Sequence, residues 1–160
     1  FENHDGKRIT FLNDRNVEDA IRTMRVSQSV SPVATISAVR RAMVAQQQAM
    51  GRAKSVVLDG RDIGTVVFPD AELKLFITAD PDVRAQRRVL ELEKKGQIVN
   101  FEEVKQNLLE RDHIDSSRAD SPLRQAADAI LIDTTHTTQE EQLNKVVELA
   151  FQKIEQMASV

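Results

Sequence analysis

Residues 55–65 read SVVLDGRDIGT, a short aliphatic run followed by two glycines and three charged side chains. The run over 55–58 predicts a buried strand, and similar runs predict strands over 73–78 and 129–132. Helices are predicted between and after these strands, with N-caps at Asp80, Asn100 and Thr138 and an end at Gly96. Strands that alternate with helices predict an α/β fold, in which a parallel sheet is flanked by helices.

Residues 1–52 lack this alternation, and they predict a separate small α+β insert before the remainder, residues 53–160. Its predicted elements are a hairpin over 1–15 that turns at His4-Asp5-Gly6, a helix from about Val17 that breaks over 27–32, and a helix over 36–50 that Gly51 ends. The break is expected because Pro32 disfavours the helical conformation of Ser31.

Composition excludes several classes of protein. The 160 residues carry 22 Lys and Arg against 25 Asp and Glu, so bulk binding to nucleic acid is not expected. No apolar run approaches the roughly 20 residues of a membrane span. There is no cysteine, hence no disulfide or thiolate, which fits the expected cytoplasmic location. The three histidines lie far apart in the sequence, so no metal site made of side chains is expected. An anionic partner would therefore be bound by a few specifically positioned arginines.

The first candidate site follows the first predicted strand. Ligands of open α/β sheets bind beyond the carboxyl ends of the strands, where Arg61 offers a fork of donors and Asp62 offers acceptors. The alternative is a turn that an Arg61–Asp62 pair stabilises. Arg40, in the predicted insert, is expected by default to have a surface role.

Two further charged groups lie on predicted helices. Arg111, Asp115 and Arg118 share one helical face, and the alternative to a site is an exposed ladder of ion pairs. A second group consists of Arg84, Arg87 and Arg88. Its alternative is a solvated helix face on which Glu91 pairs with Arg87.

Taken together, these motifs resemble one family. The string DGRDIGTVVFPDA over 59–71, an arginine-rich helix and R-D-x-x-D-x-x-R over 111–118 are similar to bacterial cytidylate kinases, over nearly the whole chain. The resemblance implies a P-loop nucleoside-monophosphate-kinase fold. It also implies transfer of the γ-phosphoryl group of ATP, with Mg²⁺ carried by the nucleotide, to CMP or dCMP.

The resemblance also implies roles for individual residues. Arg61 and Arg118 are expected to hold the monophosphate, and Arg87 and Arg88 to belong to a lid at about 84–99 that closes over the transferring phosphate. These four arginines are the expected catalytic residues. The remaining substrate-binding residues are Ser31, Arg40 and Asp62 for the cytosine ring, and Arg111 and Asp115 for the sugar hydroxyls.

One motif of the family is missing from the 160 residues. The phosphate-binding loop G-x-x-x-x-G-K-[ST] is absent, because only Gly6 precedes a lysine and Arg8 stands at the Ser/Thr position. We therefore expect the C-terminal portion of such a kinase, inactive by itself and self-associating to cover apolar surface. The alternatives are a non-catalytic pyrimidine-nucleotide-binding fragment or a related nucleoside-monophosphate kinase.

Overall fold

A computed structural model describes residues 2–4, 6–53 and 55–159. Its strands, in chain order, are β1 (Glu2–His4), β2 (Lys7–Ile9), β3 (Phe11–Leu12), β4 (Arg15–Asn16), β5 (Leu75–Thr78) and β6 (Ile130–Asp133). Its α-helices are α1 (Met24–Ala34), α2 (Ser37–Met50), α3 (Pro81–Lys94), α4 (Phe101–Ser117) and α5 (Gln139–Ala158). Short helical turns cover Ala20–Arg22, Gly51–Ala53 and Ile63–Val67, the last of them a π-helical turn.

The parallel sheet is formed by β5 and β6, whose register runs from Leu75 opposite Ile130 to Thr78 opposite Asp133. The predicted α/β fold with a parallel sheet is thereby confirmed. The predicted strand over 55–58 is wrong, since these residues form no strand and Val57 is fully exposed. A strand needs a hydrogen-bonded neighbour, and no strand of the described residues pairs with this segment.

The N-terminal part contains two hairpins rather than the single predicted one. β1 pairs with β2, and β3 pairs with β4 through Asn13 and Asp14, both in the left-handed conformation. The predicted turn at His4-Asp5-Gly6 includes Asp5, which lies outside the described residues.

The predicted helix break over 27–32 is wrong. α1 begins at Met24, capped by the Thr23 side chain, and continues through Pro32. Proline removes one backbone hydrogen bond inside a helix, and here it lies in the final turn, two residues before the helix ends. The helix continues past it, and the N–H groups of Thr35 and Ile36 donate to the carbonyls of Pro32 and Val33.

Most other helix ends follow the predicted local signals. The Asp80 side chain accepts from the Asp82 N–H at 2.8 Å, and the Asn100 side chain caps α4. Thr138 caps α5 in a capping box with Glu141. Gly96 follows α3 with a φ of +75°, a conformation that favours glycine. Gly51 ends α2 as predicted, and a Cβ there would collide with the Phe68 ring.

The core lies between α3 and α4. Its buried residues are Val89 and Leu92 of α3 and Val104 of α4, against which Met24 of α1 packs. The apolar pattern of α5 favours a core-facing side, but Leu143 and Ile154 are 61% and 60% exposed, because no described element packs over them. Among the described residues, no helix is long and apolar enough to cross a membrane.

Candidate functional site

The backbone around Asp62 is fixed by the π-helical turn that follows it. The Asp62 carbonyl accepts from the N–H groups of Val66 and Val67 at 2.9 and 3.2 Å. Val67 is buried, and its own carbonyl accepts from the Gln48 side chain of α2 at 3.3 Å. The turn is thus docked on α2, and Asp62 is held against that helix.

Asp62 forms an ion pair with Arg40 of α2; the Asp62 side chain is buried, and the Arg40 side chain is 13% exposed. The local Arg61–Asp62 pair that the sequence left open as an alternative is therefore wrong. So is the default surface role of Arg40. A buried carboxylate is costly unless it is paired, and the guanidinium that pairs with Asp62 comes from a different element.

Arg61 reaches away from Asp62 to α4. Its Nε lies 3.1 Å from Asp115 Oδ2, and Arg118 Nη1 lies 3.4 Å from Asp115 Oδ1. Asp115 is only 3% exposed, so the alternative of an exposed ladder of ion pairs is wrong. Arg118 is fixed further by the Ser121 carbonyl, which accepts from its Nε and Nη2 at 2.8 and 2.6 Å.

Arg111 lies close to the same group. Its Nη1 donates to Ser27 Oγ of α1 at 3.0 Å. Within the described part of the chain it forms no ion pair. The fold thus brings together six predicted site residues, which we call the arginine–aspartate cluster: Arg40, Arg61, Asp62, Arg111, Asp115 and Arg118.

The cluster holds more positive than negative charge, since four guanidinium groups face two carboxylates. Burial lowers the pKa of Arg118, and the charge of Arg40 lowers it further. Burial likewise lowers the pKa of Arg111, and the charge of Arg61 adds to that effect. In both cases the attraction of Asp115 does not offset burial and the repulsion from neighbouring arginines, so a bound anion would stabilise the charged guanidinium groups.

Several buried polar atoms of this region make no hydrogen bond to the described residues. They are Ser31 Oγ, Asp62 Oδ2, Arg40 Nε and Arg111 Nε. Such atoms are uncommon in folded proteins, and each costs free energy unless something pairs with it. Ser31, predicted to contact a base, is 1% exposed and lies one helical turn from Ser27.

The three arginines of α3 have three different partners. Arg84 pairs with Asp112 of α4, Arg87 donates to Thr134, and Arg88 pairs with Glu91. The alternative pair between Arg87 and Glu91 is wrong. Arg88 lies near enough to Arg111 to lower its pKa, whereas Arg87 is engaged at the carboxyl end of β6.

Arg87 ties α3 to the loop after β6. Its guanidinium donates to Thr134 Oγ1 at 3.1 Å and to the carbonyls of Thr134 and Thr137. Thr134 is buried, and its hydroxyl donates to the Thr78 carbonyl at 3.0 Å. One arginine therefore connects a helix to the ends of both sheet strands.

Replacing Arg87 with alanine is expected to lower the free energy of unfolding by about 1 to 2 kcal/mol, because it removes three hydrogen bonds, two of them to the buried Thr134. Urea denaturation measures the loss. The matched control is Arg88→Ala, since the ion pair of Arg88 with Glu91 is largely exposed and contributes about 0.5 kcal/mol or less. Equal losses in both variants would contradict an anchoring role for Arg87.

A family model described as "Cytidylate kinase" matches residues 2–152. The chain belongs to the cytidylate kinase family. Three similar curated proteins, each named cytidylate kinase, come from Parabacteroides distasonis, Phocaeicola vulgatus and Flavobacterium johnsoniae. They are 63%, 61% and 56% identical over 137, 134 and 139 residues. These matches cover 86%, 84% and 87% of this chain and 60%, 58% and 60% of the relatives, so the chain spans about three-fifths of the relatives' length.

The cytidylate kinase resemblance did not point to every residue that the structure brings to the cluster. Ser27, the hydrogen-bond partner of Arg111, was missed because the sequence predicted a helix break there. In an unbroken helix, Ser27 and Ser31 are four residues apart and share a face. That spacing was the signal available in the sequence. Nothing comparable pointed to Thr134, whose contact with Arg87 depends on the packing of α3 against the sheet.

Proposed function

We propose that the arginine–aspartate cluster binds the monophosphate of CMP or dCMP, as the acceptor of a phosphoryl group from ATP. The observation that carries the proposal is the surplus of two positive charges in the cluster, which is largely buried. The chain that carries this cluster belongs to the cytidylate kinase family. A phosphate monoester carries about 1.5 to 2 negative charges at pH 7. Arginine forks bind such groups through charge-assisted hydrogen bonds.

The unpaired polar atoms support cytosine as the base. Cytosine presents an exocyclic amine that donates, beside ring-nitrogen and carbonyl acceptors. Asp62 Oδ2 and Ser31 Oγ can accept from the amine, and Arg40 Nε can donate to an acceptor of the ring. All three atoms are buried and make no hydrogen bond to the described residues, so a bound base would complete their hydrogen bonding.

The other roles are proposed on the family resemblance. Arg61 and Arg118 hold the monophosphate, while Arg111 and Asp115 contact the sugar hydroxyls. Arg88, beside Arg111, belongs to a lid at about 84–99 that closes over the transferring group, and Arg87 anchors the base of that lid through Thr134. The domain division into 1–52 and 53–160 remains a prediction. ATP enters as the phosphoryl donor and brings its own Mg²⁺.

The 160 residues hold the acceptor side of this reaction and no phosphate-binding loop for the donor. We therefore propose that they bind CMP without transferring phosphate by themselves. A coupled assay with ATP and CMP tests both parts. It compares the 160-residue chain with a chimera of the Parabacteroides distasonis relative. In the chimera, the 137 matched residues of the relative are replaced by the corresponding residues of this chain. We expect turnover from the chimera alone.

The same assay separates the alternatives. Turnover from the 160-residue chain would contradict the proposed dependence on a phosphate loop. A folded chimera that binds CMP and transfers nothing would favour a pyrimidine-nucleotide-binding module. A preference of the chimera for UMP or AMP would indicate a different nucleoside-monophosphate kinase.

Replacing Asp62 with asparagine is expected to weaken CMP binding about tenfold while UMP binding changes little, because the carboxylate that accepts from the cytosine amine is lost. Titration calorimetry with both nucleotides measures the change in preference. The control is Asp59→Asn, an exposed carboxylate three residues earlier. An unchanged ratio of CMP to UMP affinity in the Asp62 variant would remove this residue from base recognition.

Self-association and a cytoplasmic location remain predictions. The exposed apolar side chains of α5, among them Leu143, Phe151 and Ile154, support the first, because contiguous apolar surface is unfavourable in water. Light scattering across a concentration series tests it. A constant monomer mass at high concentration would contradict self-association.

A further inference from the structure

The hydroxyl of Ser27 links α1 and α4 at the edge of the arginine–aspartate cluster. Arg111 Nη1 donates to Ser27 Oγ at 3.0 Å, and Ser27 Oγ lies 3.5 Å from Asn107 Oδ1, to which it donates. Asn107 and Arg111 are four residues apart on α4, so both face α1 across the same gap. The serine hydroxyl therefore receives one hydrogen bond from Arg111 and passes one to Asn107.

Arg111 differs from the other arginines of the cluster, because its partner is a neutral hydroxyl and theirs is a carboxylate. Arg40 pairs with Asp62, while Arg61 and Arg118 both pair with Asp115. In the described ranges 2–4, 6–53 and 55–159, Ser27 is the only hydrogen-bond partner of the Arg111 side chain, which makes no ion pair.

The surroundings of Arg111 favour its departure from the cluster. Its side chain is half-buried, its buried Nε makes no hydrogen bond to described residues, and the charges of Arg61 and Arg88 oppose its own. A free arginine side chain also loses rotamer entropy when it is fixed. Without the serine hydroxyl, the guanidinium would keep only the longer-range attraction of Asp115 and Asp112 among the described residues.

We propose that Ser27 is a positioning residue that holds Arg111 in the orientation needed to contact the acceptor nucleotide. This inference rests on the proposed function, because it requires CMP to bind at the cluster. Ser27 need not touch the nucleotide. Its contribution comes before binding, since a guanidinium that is already fixed loses less entropy when the ligand arrives.

The test is CMP binding to the 160-residue chain, measured by titration calorimetry. Ser27→Ala is expected to weaken binding about fivefold to tenfold, and Ser27→Thr, which keeps a hydroxyl, to restore affinity to within about threefold. The matched control is Ser29→Ala on the same helix. The Ser29 hydroxyl is exposed and donates to the Arg25 carbonyl of its own helix, so no change is expected.

A second comparison separates positioning from a general effect on helix packing. If Ser27 acts through Arg111, Ser27→Ala should weaken CMP binding by less than about twofold when Arg111 is already alanine. A full additional loss in that background would overturn the inference, as would unchanged binding by Ser27→Ala alone. Absence of CMP binding to the unmodified chain would instead overturn the proposed function and this inference with it.

Discussion

Replacing Asp115 with alanine is expected to lower the free energy of unfolding by about 3 kcal/mol or more, the cost of breaking a buried ion pair from one side. Asp115 is 3% exposed and is the shared partner of Arg61 and Arg118. Its removal leaves both guanidinium groups in a cluster that already has an excess of positive charge. Urea denaturation, read by circular dichroism, measures the loss.

Asp112 provides the matched control, because it lies about one turn earlier on the same helix and pairs with Arg84. The side chains of Arg84 and Asp112 are 29% and 28% exposed, so this pair is closer to water than the pairs of Asp115. Asp112→Ala is expected to cost about 1 kcal/mol or less. The change in helix propensity is similar in the two variants and largely cancels in the comparison. Equal stabilities for the two variants would show that Asp115 does not hold the cluster together.

Replacing Arg118 with alanine is expected to weaken CMP binding about tenfold to a hundredfold, the range for a lost charge-assisted hydrogen bond to phosphate. Cytidine has no phosphate, so its binding should change by less than about threefold. The comparison of the two ligands isolates the phosphate contact from any change in base recognition. Titration calorimetry on the folded variant measures both.

Two further variants sharpen this result. Arg118→Lys keeps the charge and loses the planar fork, so it should recover only part of the CMP affinity. Arg124→Ala removes an exposed arginine from the following loop and should leave CMP binding unchanged. If Arg118→Ala weakened CMP and cytidine equally, the residue would act on folding or on the base instead of the phosphate.

The sequence predicted those parts of the fold that depend on local signals. Asp80, Asn100 and Thr138 cap their helices because a short polar side chain can reach backbone N–H groups two or three residues ahead. The parallel pairing of β5 and β6 was also predictable, since a helix-containing connection returns the second strand in the same direction.

Predictions failed where the outcome depends on packing partners far away in the sequence. The apolar pattern of α5 correctly predicted a helix, yet its apolar face stays exposed because no described element covers it. For Pro32, the residue type indicated a break, but α1 continues although it loses the backbone hydrogen bond that this residue cannot donate.

The candidate site shows the same division. Motifs identified the members of the cluster, but not their partners: the nearest carboxylate to Arg61 in the sequence is Asp62, whereas the structure pairs Arg61 with Asp115 and Asp62 with Arg40. Ion pairs between separate elements follow from how the helices pack, which residue spacing does not encode. The role of Ser27 belongs to this class as well.

The most direct test of the central claim is a calorimetric titration of the unmodified 160-residue chain with CMP and, separately, with cytidine. A cluster with two surplus positive charges should bind CMP at least about tenfold more tightly than cytidine, and added salt should reduce that difference. Equal affinities for the two ligands would contradict a phosphate-binding role for the arginine–aspartate cluster, and so would the absence of saturable CMP binding.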